Sequence, residues 1–484
     1  EAQWDGSRLE FPGMSVEWRE RLNPHQRNAV WRYLQTGNTL LAHLVGAGKT
    51  ATMSAMAMEA KRLSGNPNYK TLLTVPGHLI TSGQAQKEIL EVYPSAKVLA
   101  ATPDALSGKG RRTFLKRIAT ENYDIIVMAH SSFSRIPLDP DYERDFIQKQ
   151  INDLEDEIRV ARSDKDRNYE AELEAQKDRL REKLSKLNDQ VSRDENSVTF
   201  DKLGIDALFV DEAHLFKNLQ VRTRLARVPG VSTAFSARAF DMWMKTRYFN
   251  ERSNYRGVVL ATGTPIANAV GELYVMQQYL QPQLLDRLGM GAFDAWAANF
   301  ADIVMRPEMD PAGGGMRMHA RMSAYRNVPE LMSMFRQVAD VKLFTELKDI
   351  LNRPKMVGGK PHRVEIERNP FLESYIEQLQ LRAARVRSGS VDRSEDNMLK
   401  ILGEGRLASI DMRLVDPSAP DMANSKVNTA VENVHRIWKE TADKKLTQII
   451  WLDGVSPNSK RTDRTNLYRE IVDKLVAQGI PRAE

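Results

Sequence analysis

Six short apolar runs punctuate the first 280 residues: TLLAHL (39–44), TLLTV (71–75), KVLAA (97–101), DIIVMA (124–129), ALFV (207–210) and GVVLA (257–261). They are rich in Val, Ile and Leu and do not alternate apolar with polar. That is the pattern of strands buried on both faces. Helix-like stretches such as ATMSAMAMEAKRL and TSGQAQKEILEVY separate most of them. Alternating strands and helices predict an α/β fold with a parallel sheet flanked by helices. In such sheets chemistry gathers just past the carboxyl ends of the strands. GAGKT, PGH, HSS, DEAH and TGTP all stand at those places.

GAGKT is the end of a phosphate-binding pattern, G-x-x-x-x-G-K-[ST], whose first glycine is replaced here by His43. A strand running into Gly46, Ala47 and Gly48, with a helix opening at Lys49, would curl backbone N–H groups around an anion at a helix N-terminus. Lys49 would reach the β- and γ-phosphates, and Thr50 would ligate Mg²⁺. As a string alone, it is equally a glycine turn ahead of a helix. ALFVDEAH tips the balance, because it ends a buried strand in Asp211 and Glu212. The first acid can hold Mg²⁺ opposite the loop, and the second can orient and deprotonate an attacking water. In GVVLATGTPIAN, Thr262, Gly263 and Thr264 follow another strand. By itself TGTP also reads as an ordinary turn.

Residues 141–192 interrupt the rhythm. Ile147, Ile151, Leu154 and Ile158, then Tyr169, Leu173, Leu180, Leu184, Leu187 and Val191, keep heptad-like spacing on either side of RSDKDRN. They predict two helices folded back as a hairpin. This stretch holds 11 Lys/Arg and 15 Asp/Glu, a net of −4, within a chain of net charge +6. Residues 217–256 carry 9 Lys/Arg against 2 acids, a net of +7. A basic stretch is often only a solvated face, but its place between DEAH and TGTP makes it a candidate nucleic-acid surface. Further on, FDAWAANFAD reads as a helix, DPAGGGMRMHARMSAY as a β-hairpin and LTQIIWL as a strand.

Composition sets outer limits. The 484 residues, 42% hydrophobic and 28% charged, describe an ordinary globular protein of two or three domains. The absence of cysteine excludes disulfides, thiolate catalysis and Cys-based zinc sites. No apolar run is long enough to span a membrane, so no membrane partner is expected. The chain opens with EAQWDGSRLE, without an initiator Met or a signal pattern, so a piece of a longer protein is expected.

LNPHQRNAV, GAGKT, DEAHLFKN and LATGTPIANAVGELY, in this order, resemble superfamily-two helicases and translocases, and most of all the Swi/Snf-like branch that moves on double-stranded DNA. FDAWAANFAD, DNMLKILGEGR and TQIIWLDG are similar to the helicase part of large phage and mobile-element proteins that join an adenine-specific DNA methyltransferase to a helicase, antirestriction proteins among them. The resemblance implies a RecA-like ATP-binding lobe at 1–280 with the 141–192 hairpin inserted. A mostly helical connector with a β-hairpin would follow at 281–424, and part of a second RecA-like lobe at 425–484. It implies ATP and Mg²⁺ as cofactors and DNA as partner, together with further domains of the parent chain, in a bacterial or phage-encoded cytoplasmic protein. Gln26 would recognise adenine, and His214 would link the acids to the coupling motif Thr262–Gly263–Thr264. Pro76, Gly77, His78, His130 and Ser131 would touch the DNA backbone. In that branch the residue opening the loop is commonly not glycine, so His43 fits. Arg222, Arg224 and Arg227 are expected on a DNA-facing or lobe-facing surface.

In the family the second lobe supplies arginines, and an arginine finger is worth about 10³–10⁵ in rate. No Q-x-x-x-x-R-x-x-R-like segment follows residue 425, so this piece is expected to bind ATP better than it hydrolyses it. An RNA or single-strand helicase, and a nucleotide-binding scaffold or switch without turnover, are the alternatives. DEAHLFKN argues against the first, and the intact Lys49, Asp211 and Glu212 against the second.

Overall fold

The computed structural model describes residues 4–102, 105, 108–191, 198–225, 228, 231–266, 269–309, 316–348, 350, 356–367, 369–392, 394–455 and 465–482. The chain forms two compact units. One comprises Glu1–Met305 with Ala320–Arg353, the other Arg306–His319 with Pro354–Glu484.

The first unit is built on a seven-stranded sheet. Its strands are β1 (Thr39–His43), β2 (Thr71–Val75), β3 (Val98–Ala100), β4 (Ile125–Ala129), β5 (Ala207–Val210), β6 (Val258–Ala261) and β9 (Ala339–Lys342). Their order is β3-β4-β2-β5-β6-β1-β9, and every pairing is parallel. The expected apolar runs are the first six strands, each to within a residue or two. Successive side chains enter opposite cores. Leu40, Leu72, Ile126, Leu208 and Leu260 pack on one face, and Leu41, Leu73, Val127, Phe209 and Val259 on the other. Each fully buried aliphatic side chain of this kind contributes about 1.5–3 kcal/mol, which is why the runs carry no polar alternation.

β9 was not foreseen. Its sequence, ADVK, is half polar because it is an edge strand whose Asp340 meets a polar partner inside the unit. Of the β-hairpin expected within 310–325, the second strand is β8 (Met316–Tyr325), but its partner β7 (Ala301–Met309) lies ahead of that stretch, the two forming a two-stranded sheet. Its first strand begins where a helix was expected to continue, since that helix stops at Phe300.

The inserted hairpin consists of helices Pro140–Ser163 and Arg167–Val191. The Asp139 side chain caps the first by accepting from Asp141 N and Tyr142 N. Ile147, Ile151, Leu154, Ile158, Leu173 and Leu180 form its own core. Phe240, from the Ala237–Arg252 helix, enters that core, and Phe146 meets Trp243 edge-on at 5.0 Å. The hairpin is therefore rooted in the first unit by apolar packing.

In the second unit, helices Pro370–Arg387 and Met398–Ile410 share one small core. Helices Lys426–Glu440 and Leu467–Ala477 share another. The expected strand at 446–452 does not form. A parallel strand needs a neighbour to satisfy its N–H and C=O groups, and here Ile449 and Trp451 are 75% and 88% exposed. No helix among the described residues is long and apolar enough to cross a membrane.

Candidate functional site

The site lies at the carboxyl edge of the sheet, where β1 turns into the loop 44–48. Gly46 and Gly48 both have positive φ, 86° and 77°. At Gly48 the requirement is doubled, because an added Cβ would come within 2.5 Å of Gln26 Nε2. Gly48 caps the Lys49–Ser64 helix, whose N-terminus points its free N–H groups at the loop. Lys49 Nζ reaches back to His43 O at 3.3 Å. Lys49 and Thr50 are half-buried at the rim.

Gln26, expected to recognise adenine, packs beneath the loop. It is only 2% exposed. Its Oε1 accepts from Asn23 N at 2.9 Å, and its Nε2 donates to Gly48 O at 3.1 Å and to Thr52 Oγ1 at 3.4 Å. The amide clamps the loop to the Pro24–Thr36 helix. The cause is local: at the third position of its helix, Gln26 closes a cap on the backbone of Asn23.

β5 delivers Asp211, whose N–H donates to Thr74 O at 2.9 Å. Its carboxyl is nearly buried, and its pKa is pushed up to about 6, first by burial and then by the neighbouring Glu212. Glu212 itself sits in the left-handed region, φ 47°, which non-glycine residues adopt uncommonly and mostly for a reason. This turn swings its carboxylate back so that Oε2 lies 3.1 Å from His214 Nδ1. The same His214 Nδ1 lies 3.1 Å from Thr262 Oγ1, which in turn accepts from Thr264 N at 3.1 Å. Thr262 is fully buried, and its own N–H donates to Leu41 O, 3.1 Å away. Glu212, His214, Thr262 and β1 are thus linked in one chain of contacts.

Among the described residues no cluster of three or more His, Cys, Asp or Glu could cage a metal. Mg²⁺ needs less, typically binding through one or two carboxylates plus substrate phosphates. Asp211 and Thr50 are the residues that could hold it.

The remaining expected positions divide. Gly77 and His78, after β2, and Ser131, after β4, are exposed, and Pro76 is half-buried. The His130 ring is buried, 5.2 Å from the Phe216 ring in an edge-on contact. Arg222 is paired with Glu157 at 3.2 Å and Asp153 at 3.7 Å, and Arg224 with Asp164 at 2.6 Å. Their charges answer the acidic hairpin, which accounts for a basic segment lying so close to a net-negative one. Arg227 lies outside the described residues.

The site has the layout of a helicase-like P-loop domain. Residues 31–343 match the family model described as a probable helicase domain, and the chain belongs to that family. The Defense against restriction protein B of Escherichia phage P1 is 23% identical over 374 aligned residues, which cover 69% of this chain and 16% of that protein. The chain therefore spans about a sixth of that relative's length. The Sulfolobus solfataricus SWI2/SNF2 ATPase core in complex with dsDNA aligns over 90% of this chain and 67% of its own, with 15% identity and a TM-score of 0.37. The same core domain alone aligns over 90% and 65%, with 12% identity and a TM-score of 0.37.

Proposed function

We propose that the chain is the ATP-driven, DNA-translocating motor module of a larger DNA-processing protein. The observation that carries this reading is the unbroken line from the phosphate loop, through Gly263 and Thr262, to His214 and Glu212. Gly46, Ala47, Gly48 and Lys49 bind the phosphates of ATP. Thr50 and Asp211 hold Mg²⁺, which when bound neutralises charge on the transferring phosphoryl group. Glu212 orients the attacking water and takes its proton. His214 reads the state of Glu212 and passes it to Thr262, Gly263 and Thr264. Half-buried Pro76 and exposed Gly77, His78 and Ser131, at the same sheet edge, form the DNA contact.

A role in restriction or its evasion, beside a methyltransferase domain, is supported by the likeness to the phage protein, of which this chain matches only a small part. The test compares ATP hydrolysis by the full-length protein with duplex DNA, single-stranded DNA or RNA added. Duplex DNA is expected to stimulate most, and Glu212→Gln to abolish the stimulated rate. Stronger stimulation by RNA, or an undiminished Glu212→Gln variant, would overturn the reading.

A further inference from the structure

The approach to the phosphate loop is held chiefly from one side. β6 stays in register with β1 only over Thr39–Leu41, whereas β9 continues to His43. Leu44 N then donates to Lys342 O at 3.2 Å. On this rail stands His43, fully buried where the complete loop pattern has its first glycine. Its Nε2 lies 3.2 Å from Asp340 Oδ2 on β9. Its ring meets the His25 ring edge-on at 5.3 Å, and His25 Nε2 lies 3.1 Å from Ala47 O inside the loop.

The donors can be assigned from chemistry. A carbonyl oxygen only accepts, so His25 presents Nε2–H to Ala47. Burial lowers the pKa of His25 and favours this neutral form. Burial raises the pKa of Asp340, but the hydrogen bond from His43, with His43, Arg32 and Lys342 nearby, brings it below the usual carboxylate value. An ionised acceptor therefore faces the His43 N–H. The same segment is tied down again where Arg32 donates to Arg336 O.

We infer that Asp340, acting through His43 and His25, is a positioning residue for the nucleotide: it fixes the phosphate loop in its binding shape from the edge strand. A loop opened by glycine relies on turn geometry there, and this one relies on a buried side-chain relay. The inference rests on the ATP-binding reading above.

Binding of a fluorescent ATP analogue (mant-ATP with Mg²⁺) to the 484-residue chain tests it, with unfolding midpoints measured alongside. Lys49→Ala is expected to abolish binding. Asp340→Leu, which keeps the bulk and removes the acceptor, should weaken binding about tenfold, as should His25→Phe, which keeps a ring and removes the donor. Asp340→Asn retains an acceptor and should stay within about twofold of wild type. If Asp340→Leu does not fold, His25→Phe decides the same question. Wild-type affinity in both Asp340→Leu and His25→Phe, or equal weakness in Asp340→Asn and Asp340→Leu, would overturn the positioning role while leaving nucleotide binding intact. A wild-type chain that ignores the analogue would overturn the nucleotide reading itself, and the positioning role with it.

Discussion

Gly263 lies directly against Val45: a Cβ on Gly263 would stand 2.8 Å from Val45 Cγ2 and 3.3 Å from Val45 N. The Thr262–Thr264 turn and the 44–48 loop therefore meet at a position where a side chain fits only if Val45 shifts. A shift of one displaces the other, since packed contacts transmit strain rather than absorb it.

Gly263→Ala should consequently push the loop outward. Overpacking by one methyl against backbone costs on the order of 1 kcal/mol, or roughly a fivefold loss of ATP affinity. Titration with mant-ATP checks this. A variant that binds as wild type would show that Val45 gives way freely.

His130 gives the protein a calculable acid sensitivity. Burial, with repulsion from Arg238, lowers its pKa from 6.5 to about 4. The folded state then binds this proton more weakly than the unfolded chain does. The contribution of the neutral ring is complete above the unfolded value of 6.5 and is lost as pH falls from there towards 4, with a slope of up to about 1.4 kcal/mol per pH unit. Urea midpoints at about pH 7.5 and about pH 5 should differ more for wild type than for His130→Phe. Equal differences would remove His130 as the source.

The inserted hairpin should fail separately from the sheet. Leu173 is fully buried in the hairpin's own core, and Leu173→Ala should cost about 2–5 kcal/mol. Limited proteolysis should then cut within 140–191 while ATP affinity is unchanged. Arg222→Glu tests the other contact. Its partners are acids of the hairpin, and the pair is partly exposed, so the cost should be about 1 kcal/mol or less. DNA affinity and its salt dependence should not move, in contrast to what the position of the basic stretch in the sequence suggests. A reduced salt slope would return Arg222 to the DNA surface.

Much of the motor unit was legible because its information is local. TLLTV and ALFV are β2 and β5 residue for residue, since continuous apolar runs have few alternatives to a doubly covered strand. The heptad positions Ile147, Ile151, Leu154, Ile158, Tyr169, Leu173 and Leu180 are likewise core residues of the hairpin. Pairing across long sequence distances was not legible. ADVK carries two charges in four residues and becomes a strand because His43 and the open edge of β1 receive it. LTQIIWL has stronger strand character but remains unpaired, because no neighbouring strand meets it among the described residues. Gln26 and His130 were identified by position, but their environment comes from tertiary packing. Both are buried in this structure, a setting that the family resemblance did not convey.

β1 belongs to the first tenth of the chain, yet it is flanked by β6 and β9, two of the last strands of the sheet to emerge. The His43–Asp340 contact spans 297 positions. At a synthesis rate of about 5–20 residues per second, the loop-bearing strand waits roughly 15–60 s for its outer neighbour. During that interval the sheet can assemble from β2 to β5, but β1 has neither neighbour until β6 emerges and lacks its outer one until β9 does. Completion of the sheet around β1 therefore follows the emergence of the loop by a long interval, and a chain interrupted before β9 would carry Gly46, Gly48, Lys49 and Thr50 without the strand that pairs with β1 up to His43.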